Sequence, residues 1–478
     1  MEGPSGLYLG GEWVSASDGG VMAVINPATT ETLCTVPSAT TEDVDRALEA
    51  AVEGFRTWSQ TDAWTRCEVL RDTSRLLASR SEDVAATLTA EQGKPLAEAR
   101  GEVAAAVAFF DWCADEARRL YGRIIPGNAT DTRMFVIKQP IGVVAAFTPF
   151  NFPAYLPARK IGAALAAGCS VVLKPAEETP LTSMYLAQAF HDAGLPPGVL
   201  NILVGDPQLI GTRLVTADVV RKVSLTGSVP VGRELARLAA DGLKEVSLEL
   251  GGHSAVIVCE DADVEKAAAT SVEAKFRNAG QVCISPSRWF VHTSIADEFT
   301  ERFVAATKRL RIGDGRSPDT DVGPLTNQRR VDAIQDLVDD SVSYGATVCT
   351  GGHRVEGMAS DLFYAPTVLS EVSDEMRVMT DEPFGPVAPI ATFSTLDEAI
   401  ERANATDYGL AGYVFTDRTA TAFRAAEGLE VGMVGVNNLV IARPEAPFGG
   451  VKHSGYGREG GAEGIEAYAV TKYVNIRI

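Results

Sequence analysis

A thiol, a carboxylate and a side-chain amide stand in settings where a protein could turn them on a substrate. Cys283 lies in KFRNAGQVCIS (residues 275–285), just beyond a run of helical periodicity that closes at Gly280. Most cysteines are inert, buried apolar side chains. This one has small, polar, turn-like neighbours, the surroundings in which a thiolate can be reached and act as a nucleophile. Glu249 ends the strand-like segment KEVSLELGG. Alternation puts Val246, Leu248 and Leu250 on one face and Glu245, Ser247 and Glu249 on the other. Gly251 and Gly252 beside it permit close backbone approach. A solvated carboxylate would give the same pattern. Asn151 follows an apolar strand in FTPFNFP, where turn formation alone could account for an asparagine.

Other residues suit a phosphate-bearing ligand. In SLTGSVPVGRELARLAADG a strand ending at Leu225 meets a helix through Thr226, Gly227 and Ser228. Ser228 fits an N-cap, and Pro230 in the first turn removes no needed amide donor. The free amides and the helix dipole would then face an anion. Lys174 in VVLKPAEETP leaves a buried strand, with Glu177 three residues on. Both places are carboxyl ends of parallel strands, where open α/β sheets bind ligands. A GxGxxG match at Gly455, Gly457 and Gly460 follows VKHS rather than a buried strand, and it reads as a turn.

The elements that must position these groups alternate along the chain. Residues 40–120 have apolar residues at helical spacing, as in Val44, Leu48, Ala51 and Phe55. Strand-like runs follow at 141–147, 170–173, 199–204, 222–225 and 244–250, separated by helices ending at Gly168, Gly194 and Gly242. A second strand and helix series starts at 254–259 and runs to 432–438, with strands near 287–292, 363–369, 387–393 and 411–416. This pattern predicts two α/β units with parallel sheets. The segments 132–139 and 470–478 alternate and fit neither series. Such edges need a partner strand, and a sheet shared between subunits would supply one.

Composition narrows the classes of function. The 478 residues are 46% hydrophobic and 22% charged, the balance of a globular chain of two or three domains. No apolar run is long enough to span a bilayer. The amino terminus lacks the features of a secretory signal, which predicts a cytoplasmic protein. A net charge of −20 would repel nucleic acid and anionic membranes, so neither is expected as a partner. Seven cysteines without a CxxC pair and five scattered histidines argue against a disulfide framework and a metal site.

The motifs PFNFP, LKPAEETP, LTGS, LELGG, GQVC and DEPFGP occur in this order, and the chain resembles the aldehyde dehydrogenase superfamily from about residue 10 to its end. Within it, the chain is similar to succinic semialdehyde dehydrogenases. The resemblance implies a Rossmann-like cofactor domain (1–120 and 141–250), an α/β catalytic domain (251–445) and a small β oligomerisation arm (121–140 and 465–478) that joins a homodimer or homotetramer. It further implies that Cys283 is the nucleophile, Glu249 the general base and Asn151 a donor to the oxyanion. Lys174 and Glu177 would hold the adenosine ribose, Gly227 and Ser228 the diphosphate, and Glu382 with Phe384 the nicotinamide ribose. NAD is expected over NADP, because Glu177 would repel a 2′-phosphate. Arg159 and Arg277 match a substrate-carboxylate clamp, which points to a short aldehyde with a terminal carboxylate, succinic semialdehyde first.

There are departures. Phe150 replaces the tryptophan common before the catalytic asparagine, GSVPVG replaces GSTEVG, and Ser285 stands where some relatives carry a second cysteine. Ile441, Ala442 and Arg443 replace a serine-rich approach to the last motif. A coenzyme A-acylating enzyme has less need of a positioned base such as Glu249, and a non-catalytic protein of this fold would not need Cys283 and Asn151. A thiol hydrolase would want a histidine, and none lies in these motifs.

Overall fold

The computed structural model describes residues 4–478. Helices Thr41–Trp58, Ala63–Ser79, Ser81–Gln92 and Leu96–Ala117 fill the region of helical spacing. The first starts with a capping box between Thr40 and Asp43. The first packs on an eight-stranded sheet, and the other three pack on one another and on helices Tyr155–Ala167 and Pro180–Asp192. The sheet has the order Gly455–Tyr456, Glu245–Glu249, Val220–Thr226, Val143–Phe147, Ser170–Lys174, Leu200–Ile202, Leu7–Leu9, Glu12–Val14. The five middle strands are parallel, and the flanking strands are antiparallel. Counted along the chain, the parallel strands lie in the order 5-4-1-2-3. The order reverses between Val143–Phe147 and Val220–Thr226, so a crevice opens at their carboxyl ends.

A second sheet runs Thr347–Thr350, Thr367–Ser370, Val387–Phe393, Pro286–His292, Ser254–Val258, Ala411–Phe415, Met433–Val436, and only its first strand is antiparallel to its neighbour. Each sheet has its own apolar core. One draws on residues 7–250 with Ile465 and Tyr468, the other on residues 255–448. The central strands of both are buried along their whole length, as expected where helices cover both faces. Among the described residues no helix is long and apolar enough to cross a membrane.

Several local readings need correction. The two unassigned edge segments pair with each other inside the chain: Thr132–Pro140 and Ala469–Arg477 form an antiparallel ladder, with Arg123–Ile125 on the other side of Thr132–Pro140. The helix before Cys283 ends at Phe276 rather than at Gly280, because Asn278 and Ala279 turn left-handed at φ 51° and 53°. Gly168 and Gly194 do take positive φ at their helix ends, but Gly242 has φ −95° and Leu243 carries the positive angle instead. The strands Leu7–Leu9 and Glu12–Val14, and the hairpin Val21–Ile25 with Thr32–Pro37, are short N-terminal pieces that fall outside both predicted series.

Helix Thr41–Trp58 meets the sheet through Gly54, whose missing side chain lets the Gly198 backbone approach. A Cβ placed at Gly54 would stand 2.2 Å from the Gly198 carbonyl carbon. Alanine favours helix by about 1 kcal/mol over glycine, so propensity alone predicts a gain. We expect Gly54→Ala instead to lower stability by about 1–3 kcal/mol, the cost of overpacking. Urea unfolding of the two proteins decides between the signs.

Candidate active site

A cavity of about 530 Å³ occupies the crevice, and its wall includes Asn151, Cys283, Lys174, Glu177, Gly227, Ser228, Glu382 and Phe384. Residues spread over more than 230 positions therefore converge on one space. Glu249 stands just behind the wall, which its neighbours Leu250 and Gly251 line. Arg159 and Arg277 do not line it.

The Cys283 loop is bound tightly to the Asn151 turn. Asn151 Nδ2 donates to the Gln281 carbonyl at 3.0 Å, which leaves its second hydrogen uncommitted. Gln281 is pinned in turn: its Nε2 donates to the Asn278 carbonyl at 3.1 Å, and its Oε1 accepts from the Thr326 amide at 3.1 Å. The two glycines after Glu249 explain how the loop comes so close. A Cβ on Gly252 would lie 2.4 Å from the Cys283 carbonyl oxygen, and one on Gly251 would lie 2.4 Å from Glu382 Oε2. Glu382 Oε1 accepts from the Gly252 amide at 2.9 Å. Phe150 and Phe384 meet edge to face, 6.1 Å between centroids, on the same wall.

Burial sets the electrostatics. Desolvation, with the carboxylates of Glu382 and Glu249 nearby, pushes the Cys283 thiol up to about 12. Burial also raises Glu382 to about 7, opposed by the Gly252 amide, Arg330 and Lys275. Lys275 is itself buried, which lowers it to about 7. Glu249 is 2% exposed, and neither of its oxygens has a hydrogen-bond partner among the described residues. Desolvation and the charge of Glu459 hold its carboxyl well above the usual range. Glu459 stays ionised because Lys160 Nζ donates to Oε1 at 2.6 Å and Arg159 Nε to Oε2 at 3.1 Å.

The sequence matches the aldehyde dehydrogenase family over residues 13–474. It is 47% identical over 469 residues to 4-(hydroxymethyl)benzenesulfonate dehydrogenase of Comamonas testosteroni, covering 98% of this chain and 97% of that one. It is 45% identical to glutarate-semialdehyde dehydrogenase of Pseudomonas putida, again covering 98% and 97%. The fold superposes on succinate-semialdehyde dehydrogenase from Burkholderia pseudomallei with a TM-score of 0.98 at 42% identity, each chain covered completely. The chain belongs to the aldehyde dehydrogenase family.

As a member of that family it is an NAD(P)-dependent enzyme, and the cavity fits a dinucleotide. Thr148 and Thr226 line it, their hydroxyls buried and without a hydrogen-bond partner among the described residues. Ser228 is the N-cap of Val229–Asp241, with Pro230 in the first turn and no side-chain bond closing the cap, so amides remain for a diphosphate. Lys174 and Glu177 are paired at 2.5 Å on the cavity wall.

The arginines sit in unlike settings. Arg159 of the dehydrogenase is 1% exposed, stacked against Phe109, Tyr155 and Phe448, and committed to Glu459 and the Tyr155 hydroxyl, with only Nη2 unpartnered. Arg277 is exposed, lies over the Phe152 ring, and has no ion-pair partner among the described residues. Residue reading missed Lys160 and Glu459 altogether. Glu459 belongs to the glycine-rich turn that imitates a nucleotide fingerprint, where Gly455–Tyr456 pairs with the Glu249 strand. Nothing in the spacing announces that this turn brings a carboxylate to Lys160, 299 residues away.

A thiol raised by burial and neighbouring carboxylates predicts a clear pH dependence for the cofactor-free enzyme. The reactive thiolate grows tenfold per pH unit while pH stays below the group's value. Inactivation by iodoacetamide should therefore accelerate with near-unit slope up to at least about pH 9. A plateau near neutrality would mean that Cys283 is already ionised at rest.

Proposed function

We propose that this aldehyde dehydrogenase oxidises a short aldehyde with a terminal anionic group, succinic semialdehyde first, through a thioester on Cys283 that water hydrolyses. The observation that carries the chemistry is the single cavity wall holding Cys283 and Asn151 with Glu249 just behind. The Cys283 thiol gives up its proton to water, and the thiolate sulfur then adds to the carbonyl carbon as the C=O π pair moves onto oxygen. The oxyanion that forms lies within reach of the free hydrogen of Asn151 Nδ2 and of the Cys283 amide, which has no acceptor among the described residues. Bound NAD supplies the acceptor for the hydride lost when this adduct collapses. Glu249, whose raised carboxyl is a strong proton acceptor once ionised, takes a proton from the water that attacks the thioester. Glu382 and Phe384 would hold the nicotinamide ribose, Gly227 and Ser228 the diphosphate, and Lys174 with Glu177 the adenosine ribose. Glu177 supports a preference for NAD, since a 2′-phosphate would meet its carboxylate.

Glu249→Gln should leave thioester formation largely intact and slow its hydrolysis. Stopped-flow absorbance is then expected to show a burst of about one equivalent of reduced cofactor before a slow steady state. Equal slowing of both phases would move Glu249 into the first half of the reaction.

Arg277 supports the anionic substrate. It is exposed, has no ion-pair partner among the described residues and stands six residues before Cys283, and the relatives above are named for aldehydes or precursors bearing carboxylate or sulfonate groups. Arg159 contributes through Nη2 alone, so Arg277 is the main charge of the clamp. A charge-assisted hydrogen bond is worth about 1.5–3 kcal/mol. Arg277→Ala should thus lower kcat/KM for succinic semialdehyde by roughly 10- to 100-fold and change butanal much less. Butanal as the better substrate of the unaltered enzyme, or equal losses for both, rules the clamp out.

The assembly we read is a cytoplasmic homodimer or homotetramer. It is supported by strand Ala469–Arg477, whose outer edge is unpaired within the chain and carries exposed Val470, Tyr473 and Ile476.

A further inference from the structure

The Asn151 amide can serve an oxyanion only if its distance from Cys283 is held, and the contacts that hold it converge on the first two turns of helix Leu96–Ala117. Glu98 and Glu102, four residues apart, share a face of that helix. Glu102 Oε2 accepts from Lys94 Nζ at 2.6 Å, and its Oε1 accepts from the amides of Ala154 and Tyr155 at 2.8 and 3.2 Å, where the helix after Asn151 begins. Lys94 Nζ also donates to the Asn151 carbonyl at 2.7 Å and lies 4.0 Å from the centroid of the Phe152 ring. One turn earlier, Glu98 Oε2 accepts from the Asn278 amide at 2.8 Å. Asn278 is held left-handed at φ 51°. Its Nδ2 donates to the Asn151 carbonyl at 3.0 Å and to the Gln281 carbonyl at 3.2 Å, the acceptor that also anchors Asn151 Nδ2.

Both sides of the gap between donor and nucleophile are therefore fastened to one rigid helix. Net stability does not account for this. The Lys94 and Glu102 side chains are each 1% exposed, and desolvation largely offsets the attraction of a buried pair compared with apolar residues of like volume. What the pair does here is reach three backbone groups of the Asn151 segment.

We propose that Lys94, Glu102 and Glu98 are positioning residues for thioester formation, setting the separation between the Asn151 side chain and Cys283. They touch neither substrate nor cofactor, and the proposal rests on the oxyanion role given to Asn151.

Glu98→Ala is the gentlest test, because it frees the Asn278 amide without stranding a buried charge. In the full-length enzyme with saturating NAD and succinic semialdehyde, the burst rate of reduced cofactor should fall about 10- to 100-fold, the usual effect of small misplacements. The Kd for NAD, read by fluorescence, should stay within about twofold, since the cavity wall is untouched. Glu98→Gln should restore most of the rate, because its amide oxygen still accepts from Asn278. The decisive reading is a double-mutant cycle. If Glu98 acts by placing Asn151, the losses from Glu98→Ala and Asn151→Ala must combine to less than their product. A merely structural role gives multiplicative losses and overturns the proposal, as does an unchanged burst in Glu98→Ala. Should Glu98→Ala prove too unstable to assay, Lys94→Met with Glu102→Gln, which removes the pair as a neutral unit, enters the same cycle with the same expectations. An Asn151→Ala variant with an unaltered burst would instead bring down the oxyanion reading on which this one stands.

Discussion

The active site depends on a constraint of space at Gly251 and Gly252. Here the chain leaves the strand that ends in Glu249 and enters the second sheet five residues later, at Ser254. Two other segments must press against it: the Glu382 loop, whose carboxylate lies where a side chain on Gly251 would be, and the nucleophile loop, whose Cys283 carbonyl lies where one on Gly252 would be. A side chain at either position would meet these atoms at 2.4 Å, closer than a Cβ can stand, so the Glu382 carboxylate or the Cys283 backbone would have to move. The close approach also lets a single backbone amide, that of Gly252, hold Glu382. The crevice, Cys283 and Glu249 are joined through this short passage.

Because the passage is tight, its groups are largely enclosed by protein, and desolvation gives them their character. The thiol and the Glu249 carboxyl are both pushed toward their neutral forms. Glu459, equally buried, keeps its charge because two cations are spent on it. Carboxylates in adjacent surroundings thus take opposite states, Glu459 an ion-paired fixture and Glu249 a carboxyl without hydrogen-bond partners among the described residues. The same cause accounts for Arg159. Its guanidinium is committed to Glu459 and the Tyr155 hydroxyl, which leaves only Nη2 without a partner among the described residues.

Much of this was legible in the residues. The parallel strands, the Ser228 turn, the Lys174 strand end and the motif order follow from local periodicity and local turn chemistry, which a linear chain displays. Even the false fingerprint at Gly455, Gly457 and Gly460 could be set aside, because it lacks a preceding buried strand. The local errors have local causes. The helix before Cys283 ends at Phe276, four residues earlier than a glycine rule suggests, since the bonds that hold Asn278 left-handed come from Glu98 and Asn151, far away in sequence.

The sequence by itself therefore determined which residues could react and on which elements they ride, since side-chain chemistry and periodicity are properties of neighbours along the chain. Only the tertiary structure decided which charges are neutralised and which are free. That Glu459 meets Lys160, that Lys94 grips the Asn151 carbonyl, that Arg277 is exposed while Arg159 is enclosed, and that the two lone edge strands are each other's partner are all outcomes of long-range packing. Burial and pairing distance set them, and neither quantity exists until the two cores have closed on each other.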